Sequence, residues 1–337
     1  MSTMRAMVFH GPGDLRAEQW PVPEPRRGEV VLKIEAALTC GTDVKTLRRG
    51  HPVMIPRVPT VFGHEFAGTV AAVGANSAPC RACALCRAGR ANLCEDLLFV
   101  NGAYGEFIAL PARLVALNLV RLQPGTVASR AAFAEPLACA LGGIERARVE
   151  SGQSVVIFGH GPLGCLLGMV AAARKARVIM VGKRGWRLDQ VRRLRIGDCL
   201  DATASSDIVH TLREHLDGHG ADVAIDATGL PNVWEQALAV VGRGGTVVFF
   251  GGCAPGTTVS LDTRRAHYEE LTLLGAFHHT PDLIRRAIEL LDSGALHPEG
   301  LLTHRMGLEA VTTALDLMAR GEALKVLIEP GYATPGG

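Results

Sequence analysis

A glycine-rich turn between a short apolar segment and an apolar helix constrains this fold more than any other feature. Ser154–Phe158 is a short strand candidate, and the turn after it reads Gly159-His160-Gly161-Pro162-Leu163-Gly164. This is the G-x-G-x-x-G pattern in the strand, turn and helix order that dinucleotide-binding folds use. Gly159 permits the tight turn, Gly161 lets the backbone approach a pyrophosphate, and Gly164 lets helix and strand pack closely. The whole turn is therefore predicted to bind a dinucleotide at the helix N-terminus.

Strands and helices continue to alternate beyond this turn, which predicts an α/β domain with a doubly wound parallel sheet. A helix is predicted from Asn232 to Val241, ending at Gly242. The further strands are predicted at Arg177–Val181, Asp222–Asp226, Thr246–Phe250 and Leu271–Phe277.

The segments on either side of the alternating region read differently. Short β segments punctuated by Gly and Pro, such as Glu29–Ala36 and Gly68–Val73, dominate the first part, and helix signals are scarce before Ser129. The tail holds a helix beginning near Pro281 and a strand-like Leu324–Ile328, which we expect to pack on the first domain. Because 337 residues exceed the roughly 250 to 300 that one core supports, we predict two domains: 1–149 completed by 278–337, and 150–277.

Composition narrows the class of protein. The formal net charge of +2 is the difference between 35 basic and 33 acidic residues, so no net field favours nucleic acid or a membrane as partner. Met1–His10 lacks the pattern of a secretory signal, and the apolar run Leu163–Ala173 is too short to span a bilayer. We expect a cytoplasmic protein, in which the odd set of 9 cysteines indicates metal binding rather than disulfides.

Four of the cysteines form a compact group with the spacing C-x2-C-x2-C-x7-C: Cys80, Cys83, Cys86 and Cys94. Four thiolates on one loop can close a tetrahedral zinc shell that leaves no position for a substrate. The spacing therefore predicts a structural zinc site. Four free thiols on a loop are the alternative, but they would be prone to oxidation.

A second group of donors is more dispersed. Cys40-Gly41-Thr42-Asp43 and Gly63-His64-Glu65 offer a thiolate, an imidazole and carboxylates, which are the ligand types of a catalytic zinc. Spacing alone does not favour this interpretation, because a solitary cysteine is usually a small buried apolar residue and a solitary histidine a satisfied polar group.

The cofactor class can be predicted from the residues about twenty positions after the glycine-rich turn, where NAD sites usually carry Asp or Glu for the ribose 2′-hydroxyl. This chain has Gly182-Lys183-Arg184 there. The missing carboxylate removes repulsion against a 2′-phosphate, and Lys183 and Arg184 are charged donors, so NADP(H) is favoured. The alternative is that both basic groups are solvated and NAD binds through backbone contacts.

The order of these motifs, together with Glu135-Pro136-Leu137, resembles that of the zinc-containing medium-chain alcohol dehydrogenases over nearly the whole chain. The sorbitol and threonine dehydrogenase branch is the most similar, because Glu135-Pro136 stands where classical alcohol dehydrogenases place a cysteine ligand. The resemblance implies a GroES-like β-barrel catalytic domain plus a Rossmann domain. It also implies hydride transfer between a secondary alcohol or polyol and a nicotinamide cofactor, with two zinc ions per chain.

The resemblance also assigns roles to individual residues. Cys40 and His64 would bind the catalytic zinc, with Glu65 or Glu135 completing the shell directly or through water. Thr42 would relay the alcohol proton and Asp43 would orient the ligand histidine. A basic residue near the cofactor pyrophosphate corresponds to Lys325, and relatives form dimers or tetramers in which a strand like Leu271–Phe277 pairs between subunits.

Two departures from the family pattern qualify these expectations. Lys45 stands where many relatives have a relay histidine, and the segment between Val73-Gly74 and Cys80 lacks about two strands' worth of chain. The barrel edge is therefore expected to close differently. Two other functions stay open: a zinc-free quinone or enoyl reductase, and a catalytically silent nucleotide-binding relative that serves as a redox sensor or structural protein.

Overall fold

The computed structural model describes residues 2–69, 72–74, 76–183 and 185–333. Arg184, which is predicted to contact the cofactor, lies outside the described residues. The chain divides into two compact units. The first consists of Met1–Ala138 and His279–Gly337, and the second of Cys139–His278.

Strands occur throughout both units. In chain order they are β1 (Thr3–Gly11), β2 (Asp14–Pro21), β3 (Val30–Leu38), β4 (Thr60–Val61), β5 (Glu65–Thr69), β6 (Ala72–Gly74), β7 (Ser77–Ala78), β8 (Leu98–Phe99), β9 (Phe107–Leu110), β10 (Leu119–Arg121), β11 (Ser154–Phe158), β12 (Arg177–Gly182), β13 (Asp198–Asp201), β14 (Ala221–Asp226), β15 (Val241–Phe249), β16 (Thr272–Gly275), β17 (Leu302–Met306) and β18 (Lys325–Ile328).

The α-helices are α1 (Gly41–Arg49), α2 (Ala84–Arg87), α3 (Ala112–Asn118), α4 (Ala128–Ala131), α5 (Ala134–Arg146), α6 (Pro162–Ala173), α7 (Trp186–Arg193), α8 (Ile208–His215), α9 (Pro231–Val240), α10 (Thr263–Tyr268), α11 (Pro281–Asp292) and α12 (Val311–Arg320). Short 3-10 helices cover Ala91–Leu93, Pro298–Leu301 and Leu308–Ala310. Within the described residues, no helix is at once long enough and apolar enough to cross a membrane.

The first unit is built around a largely antiparallel sheet in the order β10-β6-β5-β3-β18-β17, with β9 also pairing with β3. A smaller sheet has the order β2-β1-β4. In β3 the side chains alternate, so that Leu32 and Ile34 are buried while Lys33 and Glu35 are exposed, which is the pattern of a strand with one face on a core. The C-terminal strand β18 pairs with β3, and the tail thus completes this unit.

The strands on the two sides of the shortened segment belong to different sheets. β6 pairs with β5 on one side and with β10 on the other, and β7 pairs with β8 in a separate two-stranded ladder. The predicted strand Gly68–Val73 is therefore wrong as a single element, because its ends belong to β5 and β6, which run antiparallel.

The second unit is a parallel sheet in the order β13-β12-β11-β14-β15-β16. This is the strand order of a Rossmann fold, with the change of direction between β11 and β14. Val155–Phe158 in β11 are all buried, as expected of a strand covered by helices on both faces. The predicted fold class, a GroES-like barrel plus a Rossmann sheet, is confirmed.

Two helix predictions need correction. Helix α1 was not predicted, because it is short and polar and its N-cap is Cys40, whose thiol accepts from the Thr42 N–H. The predicted helix end at Gly242 is also wrong. Helix α9 ends at Val240, and the chain passes directly into β15 at Val241.

Candidate active site and metal centres

Three potential metal ligands from two neighbouring strands meet in the interior of the first unit. Cys40 follows β3, and His64 and Glu65 lie at the start of β5. Because these strands pair with Leu38 opposite Glu65, the sheet register brings Cys40 next to the other two. All three side chains are buried, and a sulfur, a ring nitrogen and a carboxylate oxygen lie within 4.8 Å of one another. This donor set suits zinc.

The Asp43 carboxylate orients the His64 ring. Its Oδ1 lies 3.0 Å from His64 Nδ1, and its Oδ2 accepts from the Tyr104 hydroxyl at 2.6 Å and from the Cys40 backbone N–H at 3.0 Å. Burial lowers the pKa of His64, but the charge and hydrogen bond of Asp43 outweigh it and raise the pKa well above its ordinary value. With the Nδ1 proton held by the carboxylate, Nε2 is the nitrogen available to a metal.

Tyr104 belongs to this site although its sequence position does not suggest it. It is fully buried and lies 61 residues from Asp43 along the chain. One signal exists in the neighbouring motif: Gly63 has a φ of +87°, and a Cβ there would come within 2.8 Å of the Tyr104 ring. Only glycine therefore leaves room for the tyrosine beneath the histidine.

The two carboxylate oxygens of Glu65 have different surroundings. Lys325 donates to Glu65 Oε2 and, at 2.9 Å, to the Thr39 carbonyl oxygen, and both charged side chains are almost fully buried. Burial lowers the pKa of Lys325, but Glu65 raises it above its ordinary value. Glu65 Oε1 is buried with no hydrogen-bond partner among the described residues. A buried carboxylate oxygen without a partner is costly, and a cation beside it would remove that cost.

Lys325 was predicted to lie near the cofactor pyrophosphate. Its ammonium group is instead engaged inside the first unit by Glu65 and Thr39. The contact with a dinucleotide stays a prediction, and the placement favours a role as counter-ion of Glu65.

Glu135 lies in the first turn of α5 and belongs to a second buried group. Its Oε1 is 3.8 Å from Nε2 of His279, and the same ring nitrogen lies 3.0 Å from Asn76 Oδ1. Burial lowers the pKa of His279 to about 3, so the ring is neutral at physiological pH. Glu135 is not part of the compact Cys40, His64 and Glu65 set.

The predicted proton relay begins on the first turn of α1. Thr42 is half-buried, and its backbone N–H lies 3.4 Å from Cys40 Sγ. Lys45 is exposed on the same helix. The role of the Thr42 hydroxyl stays a prediction.

The four cysteines at positions 80, 83, 86 and 94 do come together, each offering a sulfur within 4.8 Å of the others. Backbone N–H groups point at these sulfurs: Cys83 N lies 3.3 Å from Cys80 Sγ and Cys86 N lies 3.4 Å from Cys83 Sγ. The backbone N–H groups of Glu95 and Cys86 lower the pKa of Cys83 to about 6. Such donors stabilise thiolates, so the loop fits a tetrahedral zinc ion.

The glycine-rich turn of the second unit has the geometry of a pyrophosphate cradle. Gly159 adopts φ +106°, and a Cβ on Gly164 would lie 1.9 Å from the Gly159 carbonyl oxygen. At Gly161 a Cβ would meet no atom within 4 Å, and Gly161 caps α6 without a side-chain hydrogen bond. The first N–H groups of α6 are thus open to an anion, with Pro162 at the first helical position.

The residues at the end of β12 differ from those that usually bind the ribose 2′-hydroxyl in an NAD site. Gly182 is buried, and a Cβ there would lie 2.4 Å from the His160 ring, which occupies the space beside it. Burial lowers the pKa of His160 to about 4, so this ring is uncharged. Lys183 is exposed. A carboxylate side chain at position 182 would require His160 to move.

Two family models match this chain. Residues 26–119 match the alcohol dehydrogenase GroES-like domain, and residues 162–293 match the zinc-binding dehydrogenase family. Among solved structures, a zinc-binding dehydrogenase from Sinorhizobium meliloti 1021 bound to NADP is 26% identical, with a TM-score of 0.88 over 98% of this chain and 100% of the other. The alcohol dehydrogenase TADH from Thermus sp. ATN1 is also 26% identical, with a TM-score of 0.85 over 97% and 99%. The protein is therefore an oxidoreductase of the dehydrogenase class.

Two similar dehydrogenases indicate the branch of the family to which this chain belongs. Sorbitol dehydrogenase from Bombyx mori is 32% identical over 97% of this chain and 99% of its own length. Erythritol/L-threitol dehydrogenase from Mycolicibacterium smegmatis is 30% identical over 97% and 98%. The chain belongs to the zinc-containing medium-chain alcohol dehydrogenase family, on its sorbitol dehydrogenase-like branch.

Proposed function

We propose that this protein is a zinc-dependent dehydrogenase that transfers a hydride between a secondary alcohol carbon of a polyol and a nicotinamide cofactor, with NADP(H) preferred. The observation that carries this proposal is the buried group of Cys40, His64 and Glu65, in which Glu65 Oε1 has no hydrogen-bond partner among the described residues. A quinone reductase without zinc would have no use for this donor set.

Glu65, rather than Glu135, is the glutamate that completes the catalytic zinc shell in this proposal. Its carboxylate lies with Cys40 and His64, whereas Glu135 lies with His279. Lys325 supports this choice, because it neutralises part of the negative charge that a thiolate and a carboxylate bring together. Glu135 remains beside the site, close enough for its charge to raise the pKa of Lys325.

A zinc ion held by these residues would supply Lewis-acid polarisation of the substrate oxygen. The chain's own residues supply the rest. Asp43 keeps the His64 ring in one orientation, and Tyr104 and the Cys40 N–H hold Asp43 in turn. The Thr42 hydroxyl takes the alcohol proton and passes it outward to solvent. The water-poor surroundings of these buried groups strengthen each electrostatic contact.

The cofactor preference rests on the second unit. Gly182 offers no carboxylate to a ribose hydroxyl, and the His160 ring occupies the space beside it. Lys183 and Arg184 follow as cationic donors for a 2′-phosphate. The related Sinorhizobium meliloti structure, which is bound to NADP, supports the same choice.

The proposal also covers the substrate class, the cellular location and the oligomeric state. Relatives are named as dehydrogenases of sorbitol, erythritol or L-threitol, and D-arabinitol, which supports a polyol substrate. We further propose a cytoplasmic homodimer or homotetramer. Strand β16 closes one end of the Rossmann sheet order and exposes Leu273, so it is available to pair with a second copy.

A substrate screen on protein purified without chelator tests this function. Oxidation rates are measured for a series of polyols and simple secondary alcohols with NADP+ and with NAD+, before and after zinc removal and zinc readdition. We expect zinc-dependent oxidation of at least one polyol, with a higher kcat/KM for NADP+. Zinc-independent reduction of a quinone, or no alcohol turnover by protein with its full zinc content, would contradict the proposal.

A further inference from the structure

A buried carboxylate lies in the Rossmann sheet, and the proposed mechanism assigns it no role. Asp226 is the last residue of β14 and is fully buried. It lies opposite Phe158, the last residue of β11, on the strand that leads into the glycine-rich turn. In this fold a dinucleotide binds outside the carboxyl ends of the strands, where the strand order changes direction. A buried charge is costly unless strong hydrogen bonds compensate it, so its position there needs an explanation.

Four uncharged donors surround the Asp226 carboxylate. Its Oδ1 accepts from the Thr228 N–H at 2.9 Å and from the Thr228 hydroxyl at 2.6 Å. Its Oδ2 accepts from the Gly229 N–H and from the Trp234 indole N–H, both at 2.9 Å. Hydrogen bonds to an ionised carboxylate are stronger than those to a neutral acceptor. The carboxylate therefore holds the turn at residues 227–229 firmly in one conformation.

The same aspartate also fixes the turn that follows β15. Its backbone carbonyl oxygen accepts from the N–H groups of Phe250 and Gly251, at 3.1 and 2.8 Å. The Trp234 indole N–H, shared with the carboxylate, lies 3.2 Å from the Gly251 carbonyl oxygen, and its ring stacks on Phe249 with centroids 4.0 Å apart. A Cβ on Gly251 would lie 2.3 Å from the Gly229 nitrogen, so the two turns are in close contact.

The 227–229 turn packs directly on the glycine-rich turn. The Ala227 N–H donates to the Phe158 carbonyl oxygen at 2.8 Å. A Cβ on Gly159 would lie 3.0 Å from Thr228 Cγ2 and 3.3 Å from the Ala227 carbonyl carbon. A displacement of Thr228 would therefore change the space beside the turn that is predicted to bind the pyrophosphate.

We propose that Asp226, assisted by Trp234, is a positioning residue for the dinucleotide, because it holds the turns after β14 and β15 in fixed places beside the glycine-rich turn. The inference rests on the proposed function only for the use of a nicotinamide dinucleotide. Asp226 acts through the two turns rather than on the reacting atoms, so its loss should weaken cofactor binding more than the chemical step. The loss should be similar for NADPH and NADH, because Asp226 does not act on the 2′-phosphate.

The binding test compares Asp226→Asn and Trp234→Phe with a matched control, Asp222→Asn. In Asp226→Asn one carboxylate oxygen becomes an NH2 group, which faces N–H donors instead of accepting from them. Trp234→Phe is the milder change, because it removes the indole N–H and keeps an aromatic ring. Asp222 is exposed near the other end of β14 and accepts from the Ser154 N–H at 2.7 Å, so its loss also removes a carboxylate hydrogen bond from this strand.

Calorimetric titration measures the affinity of each variant for both dinucleotides. We expect Asp226→Asn to raise Kd for NADPH and NADH about 10-fold or more, since misplacing a group by about 1 Å can cost about 100-fold. Trp234→Phe should raise both less, and Asp222→Asn should resemble the wild type. KM for NADP+ should rise with Kd, while kcat and KM for the polyol change much less. Unchanged affinity in Trp234→Phe, an equal loss in Asp222→Asn, or a loss confined to NADPH would each overturn the proposal.

A readout without cofactor or turnover tests the contact itself. The chain has 3 tryptophans, and in 15N-labelled protein Trp234→Phe identifies the indole N–H resonance of Trp234. This resonance should shift in Asp226→Asn and stay in place in Asp222→Asn. If the wild type oxidises no polyol but the binding losses and this shift occur, the substrate assignment fails while the positioning role stands. A Trp234 resonance that does not respond to Asp226→Asn would refute the hydrogen bond on which the proposal depends.

Discussion

The two proposed metal centres of the first unit draw their ligands from the chain in different ways. The four-cysteine centre takes all its ligands from one stretch between Cys80 and Cys94. The proposed catalytic centre combines Cys40, after the end of one strand, with His64 and Glu65, at the start of another, and Lys325 from the C-terminal strand pairs with Glu65. The first is defined by loop spacing, and the second exists only when the barrel sheet has formed.

This difference predicts that the two centres fail differently. Loss of a loop cysteine removes a local metal cross-link and should lower the free energy of unfolding. Loss of a catalytic ligand leaves the loop and its zinc intact and should lower the rate of alcohol oxidation. The variants below separate these two outcomes, from the largest expected effect to the smallest.

Cys40→Ala should have the largest effect. Removing the thiolate takes away zinc-based stabilisation worth several kcal/mol, so kcat/KM for alcohol oxidation should fall by about 10³-fold or more. NADPH affinity, measured by fluorescence titration, should be nearly unchanged. Full residual turnover would contradict the zinc mechanism.

Cys86→Ser should act on stability instead. Loss of a structural metal belongs to the few changes that cost about 4 kcal/mol or more, so the melting temperature should drop clearly in calorimetry. The protein that stays folded should keep its catalytic zinc and its kcat. Retained stability together with lost turnover would reverse the roles assigned to the two centres.

Arg184→Ala should alter cofactor choice. Loss of a charge-assisted hydrogen bond to the 2′-phosphate should weaken NADPH binding by about 1.5 to 3 kcal/mol and leave NADH binding unchanged. Titration of both nucleotides measures the difference, with Arg193→Ala, on the exposed last turn of α7, as the control. An equal loss of affinity for both nucleotides would show that Arg184 does not bind the 2′-phosphate.

Tyr104→Phe should have the smallest effect of the series. It removes the 2.6 Å hydrogen bond to Asp43 while the Cys40 N–H and His64 contacts remain. We expect kcat to fall about 10-fold or less, as steady-state kinetics would measure, and Asp43→Ala to cost more, about 10 to 100-fold. If Tyr104→Phe cost as much as Asp43→Ala, the tyrosine would have a role beyond holding the carboxylate.

Most of the predictions made from the sequence came from local patterns. The glycine-rich turn, the alternation beyond it and the cysteine spacing are short-range features, and the corresponding elements lie close to their predicted positions. Helix α1 was missed because its cap is a cysteine rather than the usual hydroxyl or carboxylate side chain. Strand β15 begins five residues before the predicted Thr246, since three glycines, Gly242, Gly244 and Gly245, obscure its pattern.

Contacts between distant segments could not be predicted. The family resemblance left Glu65 and Glu135 as alternatives, and the sheet register distinguishes them because it places Glu65 beside Cys40. The contact of Asn76 with His279 spans 203 residues and involves two polar side chains that are unremarkable in the sequence. Such pairs become visible only when the strands that carry them are in register.

Elemental analysis of zinc per chain in the wild type, Cys40→Ala and Cys86→Ser tests the central claim most directly. We expect two zinc ions per chain in the wild type and one in each variant, with alcohol oxidation lost only in Cys40→Ala. A wild-type protein that holds one zinc ion, retained in Cys40→Ala and lost in Cys86→Ser, would contradict it.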